Sequence, residues 1–170
     1  MAKSIKFDNN IYIDSTGVAH NNEPLSDYLN TGIINSAIGI NRGGDYTIPA
    51  PGGAYTNYQQ YPFEQTYAIR GNAFSRNGAT IVANKTCMAL VMFTLNIDGN
   101  SENVQLKLQK NSNDIFIGDA ALSNMNNTHP FCFLVSLSKG DVLSLYVGFS
   151  QNTTHLSRGQ RSYFNAIELL

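Results

Sequence analysis

The stretch Leu137-Ser138-Lys139-Gly140-Asp141-Val142-Leu143-Ser144-Leu145 decides how this chain is read. Apolar residues alternate into it from Val135 to Leu137 and out of it through Leu143, Leu145 and Val147, with a polar Gly-containing break between. A period of two is the pattern of a strand that covers one face, so the segment predicts a hairpin laying two apolar edges on a common core. The same texture continues outward. Val104, Leu106 and Leu108 alternate, and Arg76-Asn77-Gly78, Asp98-Gly99-Asn100, Asn111-Ser112-Asn113 and Asn124-Met125-Asn126-Asn127 supply turn residues at short spacing. Strands are expected near Thr66 to Phe74, Ala79 to Val82, Cys87 to Ile97, Val104 to Gln109, Ile115 to Leu122, Phe131 to Leu137, Val142 to Phe149 and Tyr163 to Leu169. Eight short strands without a heptad or a long helical stripe predict an all-β jelly-roll sandwich.

Composition narrows the function. The chain has 170 residues, 12 acidic and 11 basic, for a formal net charge of −1. That balance excludes a dominant electrostatic grip on nucleic acid or on an anionic membrane, both of which need surplus Lys and Arg. Charged residues make up only 14%, so the surface must be covered by neutral amides and hydroxyls, and Asn recurs throughout. The 42% of hydrophobic residues is enough for a core and excludes a disordered chain. Cys87 and Cys132 are too few for a disulfide scaffold; each sits in an apolar run and is expected as a buried thiol, with one disulfide between them left open. The opening lacks a signal peptide's apolar centre and no run is long enough to span a bilayer, which predicts a soluble product made in the cytoplasm. The three Asn-x-Thr sequons read as accidents of composition.

Upstream of the strands the texture differs. Ile5, Phe7, Ile11 and Ile13 alternate around Asp8-Asn9-Asn10, predicting a small hairpin, and Pro24 to Leu29 predicts one or two helical turns with Leu25 and Leu29 on one face. Residues 33–61 carry Gly39, Gly43-Gly44, Pro49, Pro51 and Gly52-Gly53 and read as a connector. A phosphate-cradling loop is set aside because no Lys-Ser/Thr follows these glycines. The expected organisation is an attachment arm (1–32), a Gly/Pro-rich connector (33–61) and a jelly-roll head (62–170).

Three segments carry a resemblance. Leu106-Lys107-Leu108-Gln109-Lys110-Asn111, the Gly-Asp hairpin quoted above, and Ser162-Tyr163-Phe164-Asn165-Ala166-Ile167-Glu168-Leu169-Leu170 resemble strands of the C1q/TNF-like jelly-roll domain, with Ala166 in place of that family's usual Gly. Ile5 to Val18 followed by Leu25-Ser26-Asp27-Tyr28-Leu29 looks like the N-terminal segment of tail and fibre proteins from phages of Gram-positive hosts. Together the likenesses imply a homotrimeric virion appendage, located in the tail or another surface structure, whose arm attaches to other tail or baseplate proteins.

Antiparallel strand order places every second loop at the same end. Loops 98–103, 123–130 and 150–161 then share one end, and loops 111–114 and 138–141 share the other. The first group is longer and more polar, and its receptor-binding candidates are Asn100, Asn126, His129, Asn152, His155, Arg158 and Arg161.

Material for catalysis is thin. His20, His129 and His155 lack Cys or carboxylate neighbours at ligand spacing, and no metal or cofactor is expected. Asp98-Gly99-Asn100-Ser101-Glu102 has alternating oxygen ligands but reads as a hairpin turn. No Gly-x-Ser-x-Gly elbow or carboxylate pair appears, so no enzyme is expected. Two readings of Tyr46, Tyr55, Tyr58, Tyr61, Phe63 and Tyr67 compete: a sugar-stacking platform, or rings packed around a threefold axis. Met88 and Met92 are expected in the core.

The expected function is non-covalent binding of the host surface, a saccharide above all, through amides and hydroxyls multiplied by threefold repetition. The alternatives are a purely structural virion, baseplate or head-decoration protein, and a C1q-like binding module outside a virion.

Overall fold

The computed structural model describes residues 5–6, 11–14, 17–20, 23–24, 36–49, 55, 57–98, 102–122, 126–151 and 154–169, of which 5–6, 11–14, 17–20, 23–24, 102, 120–122, 126–129 and 160 are described as backbone alone. Two compact units emerge, residues 1–35 and 36–169.

The first unit is an antiparallel sheet of β1 (Ile5–Lys6), β2 (Ile11–Asp14), β3 (Gly17–His20) and β4 (Glu23–Pro24), hydrogen-bonded in that order. Ile5 pairs with Ile13 and Ile11 with His20. Pro24, expected to open a helix, sits instead in β4, at the edge of the sheet, the position where strands tolerate proline. The rest of the expected helical turns, residues 25–29, lies outside the described residues.

The second unit contains β5 (Ala37–Asn41), β6 (Tyr46–Ile48), β7 (Gln59–Gln60), β8 (Gln65–Arg70), β9 (Phe74–Asn77), β10 (Thr80–Ala83), β11 (Cys87–Asp98), β12 (Glu102–Lys110), β13 (Asn113–Leu122), β14 (Asn126–Leu137), β15 (Val142–Phe149), β16 (His155–Ser157) and β17 (Tyr163–Leu169). One sheet runs β14-β11-β17-β5-β8, with β16 and β6 extending it past the end of β17. The other runs β13-β12-β15-β10-β9, with β7 also on β15. All of these pairings are antiparallel. β11 leads to β12 and β13 in the opposite sheet, and the chain returns in β14 to lie beside β11, a Greek-key crossing.

The predicted connector is where the sequence reading needs correction. From Ala37 onward it contributes β5, β6 and β7, and β5 lies inside a sheet between β17 and β8. Ile38, Ile40 and Ile48 are fully buried. Gly39 looked like punctuation, but its role is close approach: Tyr67 lies across it, and a Cβ there would come within 2.5 Å of the ring. The predicted strand from Thr66 to Phe74 is two strands. Gly71, at φ 64°, breaks it and sends the chain from one sheet to the other.

The core follows the alternation. Ala89, Val91, Phe93, Leu95 and Ile97 of β11 face Val104, Leu106, Leu108, Leu143, Leu145, Val147 and Phe149 of the opposite sheet. Phe93 centres an aromatic cluster, its ring centroid 5.1 Å from Phe131, 5.9 Å from Phe133 and 6.5 Å from Phe164. Each such pair contributes about 0.5–1.5 kcal/mol beyond its area. Tyr61, fully buried, meets Ser157 Oγ at 2.6 Å, and Ser157 in turn donates to the Asn96 carbonyl at 3.1 Å. Burial pushes the Tyr61 phenol up, with the two serine hydrogen bonds opposing.

Two of the segments that carry the family resemblance are bonded to each other. Asn111 Nδ2 donates to Asp141 Oδ1 at 2.6 Å, the Val142 amide donates to Asn111 Oδ1 at 2.9 Å, and the Ser138 amide donates to Asp141 Oδ2 at 2.8 Å. Asn111 adopts φ 52°, a conformation Asn tolerates better than most residues. The Ser138 amide, followed by the Asn111 side chain, holds the Asp141 carboxyl below the usual carboxylate range.

Candidate functional site

The strand ends bring the expected loops together. Asp98 of β11 pairs with Asn126 of β14 and with Leu156 of β16. The Asn103 and Ser150 backbones bond across the mouths of the β11–β12 and β15–β16 loops. At the opposite end lie the Asn111–Asp141 lock, Ser36, whose carbonyl accepts from the Glu168 amide, and the last residues of β17.

The individual candidates fare differently. Asn100 and Asn152 lie outside the described residues. Asn126 and His129, read as loop positions, belong to β14 and pair with Asp98 and Leu95, because β14 follows the twelve-residue β11 along its whole length. His155, also read as a loop residue, lies in β16 and is 2% exposed, stacked on Phe149 at 4.1 Å between centroids, with Nδ1 3.3 Å from the Asp98 carbonyl. It is therefore closed to a large ligand. Arg158 is engaged within the chain: its guanidinium contacts Asp45 at 2.6 Å and Asp98 at 2.9 Å, tying the segment after β5 to the end of β11. The same contacts, the Asp45 bond first, raise the guanidinium above its ordinary value. Arg161 is exposed in the 3₁₀ turn Gly159–Arg161.

Asp98, considered for cation ligation, is occupied by Arg158, and among the described residues no three His, Cys, Asp or Glu side chains gather. The tyrosine cluster divides. Tyr61 and Phe63 are core; Tyr67 leans edge-on against Tyr163 at 5.4 Å; Tyr58 lies on the other sheet. Cys87 pairs with Leu137 and Cys132 with Met92, five positions along the strand and on opposite faces, so both thiols are free.

Sequence reasoning missed a contrast between the two outward faces. On the β14-β11-β17-β5-β8 sheet, the even residues of β11 point away from the core. Met88, Leu90 and Met92 stand beside Leu134 of β14 and Ile167 and Leu169 of β17. Leu134 is 65% exposed and Met88 46%, against the core placement expected for the methionines. The signal was present: β11 is apolar at both parities, the mark of a strand covered on two sides.

The outward face of the other sheet is polar along β12, with exposed Ile117 beside it on β13. Gln105, Lys107 and Gln109 alternate on β12, opposite Asp119, Ile117 and Asp114 of β13. Gln105 Nε2 donates to Asp119 at 2.8 Å, Gln109 Nε2 donates to Asp114 at 2.8 Å, and Lys107 contacts Asp114 at 3.0 Å. The Gln109 bond, then the Lys107 bond, keeps the Asp114 carboxyl below the ordinary range. Tyr58 donates its hydroxyl to Gln105 Oε1, and the Lys107 ammonium lies 3.7 Å from the Tyr58 ring centre.

No family model and no curated protein matches the sequence. Solved structures match the fold. Murine APRIL, crystallised at pH 5.0, superposes with a TM-score of 0.63 at 11% identity, covering 79% of this chain and 98% of that chain. The PRD1 vertex protein P5 superposes with a TM-score of 0.56 at 14% identity, covering 82% and 100%. At these identities the likeness is one of fold, and with the strand order above it makes the chain an all-β jelly-roll sandwich of the C1q/TNF-like type.

Proposed function

We propose that this chain is a homotrimeric virion protein of the tail or fibre that binds the host cell surface without covalent chemistry. The outward apolar face of the β11 sheet carries the reading. A face with Met88, Leu90, Leu134 and Ile167 side by side is unfavourable in water and favours closed self-association, while the opposite, polar face stays in solvent. The fold shared with a vertex protein supports a place on a virion. The polarity of the head supports the orientation: the chain enters at Ser36, at the end opposite the loops after β11, β13 and β15, leaving those loops free to face the host. The arm, residues 1–32, would attach to tail or baseplate proteins.

Sedimentation of the purified chain, followed by adhesion of the labelled protein to a panel of Gram-positive cells, tests both halves. Trimers that adhere to a subset of strains are expected; a monomer at all concentrations, or trimers that adhere to none, overturns the reading. The vertex-protein likeness specifically favours a second reading, a purely structural virion component. It predicts trimers that incorporate into particles and leave adsorption unchanged when their exposed loops are altered.

A further inference from the structure

The polar face of β12 and β13 is built to a degree that solvent exposure alone does not require. Gly148 sits inside β15, where a glycine weakens a strand, and a Cβ there would come within 2.9 Å of the Tyr58 ring. The glycine thus seats Tyr58 flat on the sheet, and Lys107 covers the ring. The Tyr58 hydroxyl fixes the Gln105 amide: Oε1 accepts from Tyr58, so Nε2 is the atom that donates to Asp119. A second N–H on that amide and a second oxygen on Asp119 remain, a donor beside an acceptor. Four residues along β12 a second pair follows, Gln109 Nε2 donating to Asp114 Oδ1 while Asp114 Oδ2 takes Lys107, so that this pair offers its remaining amide N–H as a donor. The two amide–carboxylate pairs are about 13–14 Å apart along the strand. Between them lies Ile117, 49% exposed, opposite Lys107.

We infer that this face is the saccharide-binding surface, taking an uncharged polyhydroxylated chain laid along β12. Adjacent hydroxyls of a sugar each donate and accept, which matches a donor set beside an acceptor, and Ile117 offers an apolar step for the C–H side of a ring between the two pairs. The occupant is neutral because the charges on the face are already engaged: Lys107 is held by Asp114, and each carboxylate accepts from an amide, so no cationic surplus attracts a polyanion. The side chains are held by one another before the ligand arrives, which lowers the ordering cost of binding. The face lies on the sheet opposite the apolar one, so it stays open in the assembly and is presented three times. The inference rests on the host-surface reading above and moves the contact from the end loops to the flank of the head.

The test uses the full-length trimer, its state checked by light scattering, on an array bearing neutral mannan, glucan and N-acetylglucosamine oligomers beside hyaluronate as a polyanion. Retention on at least one neutral chain is expected. The Gln105→Ala/Gln109→Ala variant should lose at least tenfold in retention with its melting temperature and trimeric state unchanged, and Gly148→Ala, which displaces Tyr58, should lose part of it. Trimers that bind neutral chains equally well with and without the two glutamines, that bind only hyaluronate, or that bind none of the probes overturn the inference. Trimers that adhere to cells while the glutamine variant adheres equally overturn this placement alone; trimers that adhere to no cell overturn the reading beneath it.

Discussion

Replacing Leu134 tests self-association at its most exposed point. This side chain is 65% exposed in the single chain and stands opposite Leu90 on the outward face. Fully burying a leucine is worth about 1.5–3 kcal/mol, so covering the exposed two-thirds of Leu134 contributes about 1–2 kcal/mol per copy. In a closed trimer the substitution occurs three times, giving about 3–6 kcal/mol, or roughly 10²- to 10⁴-fold in the association constant. Leu134→Ala keeps one methyl-sized group and belongs near the lower figure; Leu134→Lys adds a buried ammonium and exceeds it. Sedimentation equilibrium over a dilution series reads the constant directly. Far-UV circular dichroism and denaturant unfolding of dissociated chains provide the control, because a residue already in water changes the single chain's stability by less than about 0.5 kcal/mol. A variant whose trimer constant equals that of the parent refutes the placement of the interface. A variant that fails to fold refutes the claim that Leu134 stands outside the core.

Other substitutions probe other links. Phe93→Ala, at the centre of the aromatic cluster, should destabilise by about 3–5 kcal/mol in denaturant unfolding, because four neighbouring rings lose their partner. Tyr61→Phe should cost about 1–2 kcal/mol in the same measurement, because Ser157 loses one buried partner while keeping the Asn96 carbonyl. The Asp141 carboxyl is depressed in the folded state, so its contribution is full above the unfolded value of about 3.9 and disappears as pH falls through the folded value. The melting-temperature gap between the parent and Asp141→Asn should therefore be open at pH 6 and close on acidification below pH 4; a gap independent of pH refutes that origin. Arg158→Ala should speed amide hydrogen exchange at residues 96–98 and 155–158 with little change in the global melt.

The fold was legible where local chemistry and tertiary role coincide. The Gly140-Asp141 turn and Asn111 are turn residues by propensity and also bond to one another, so both signals agree. Misreading came where tertiary packing overrides local signals. Gly39 and the prolines around it marked residues 33–61 as loop, yet Gly39 is needed because the Tyr67 ring and the Asn165 side chain crowd it, partners far along the chain that no local window includes. His155 looked like a loop residue because Asn152-Thr153-Thr154 precede it; its burial depends on Phe149 and on the end of β11. The polar face escaped notice for a related reason. Gln105, Lys107 and Gln109 are ordinary solvent-side residues of an alternating strand, and only the pairing of β12 with β13 reveals that each amide has a carboxylate beside it.

The position of β17 bears on how the protein is made. It lies between β5 and β11 and pairs Phe164 with both Ile40 and Phe93, so the first strand of the head finds this neighbour only after more than a hundred further residues have been synthesised. Until then β5 and β11 each present an open edge, with apolar residues on both sides of β11. Such non-local closure is slow, and the waiting edges are the part of the nascent chain most able to pair with the wrong copy. The sheet that β17 completes also carries Met88, Leu90 and Leu134 on its outward side, so synthesis rate and chain concentration decide how often these open surfaces meet the wrong copy.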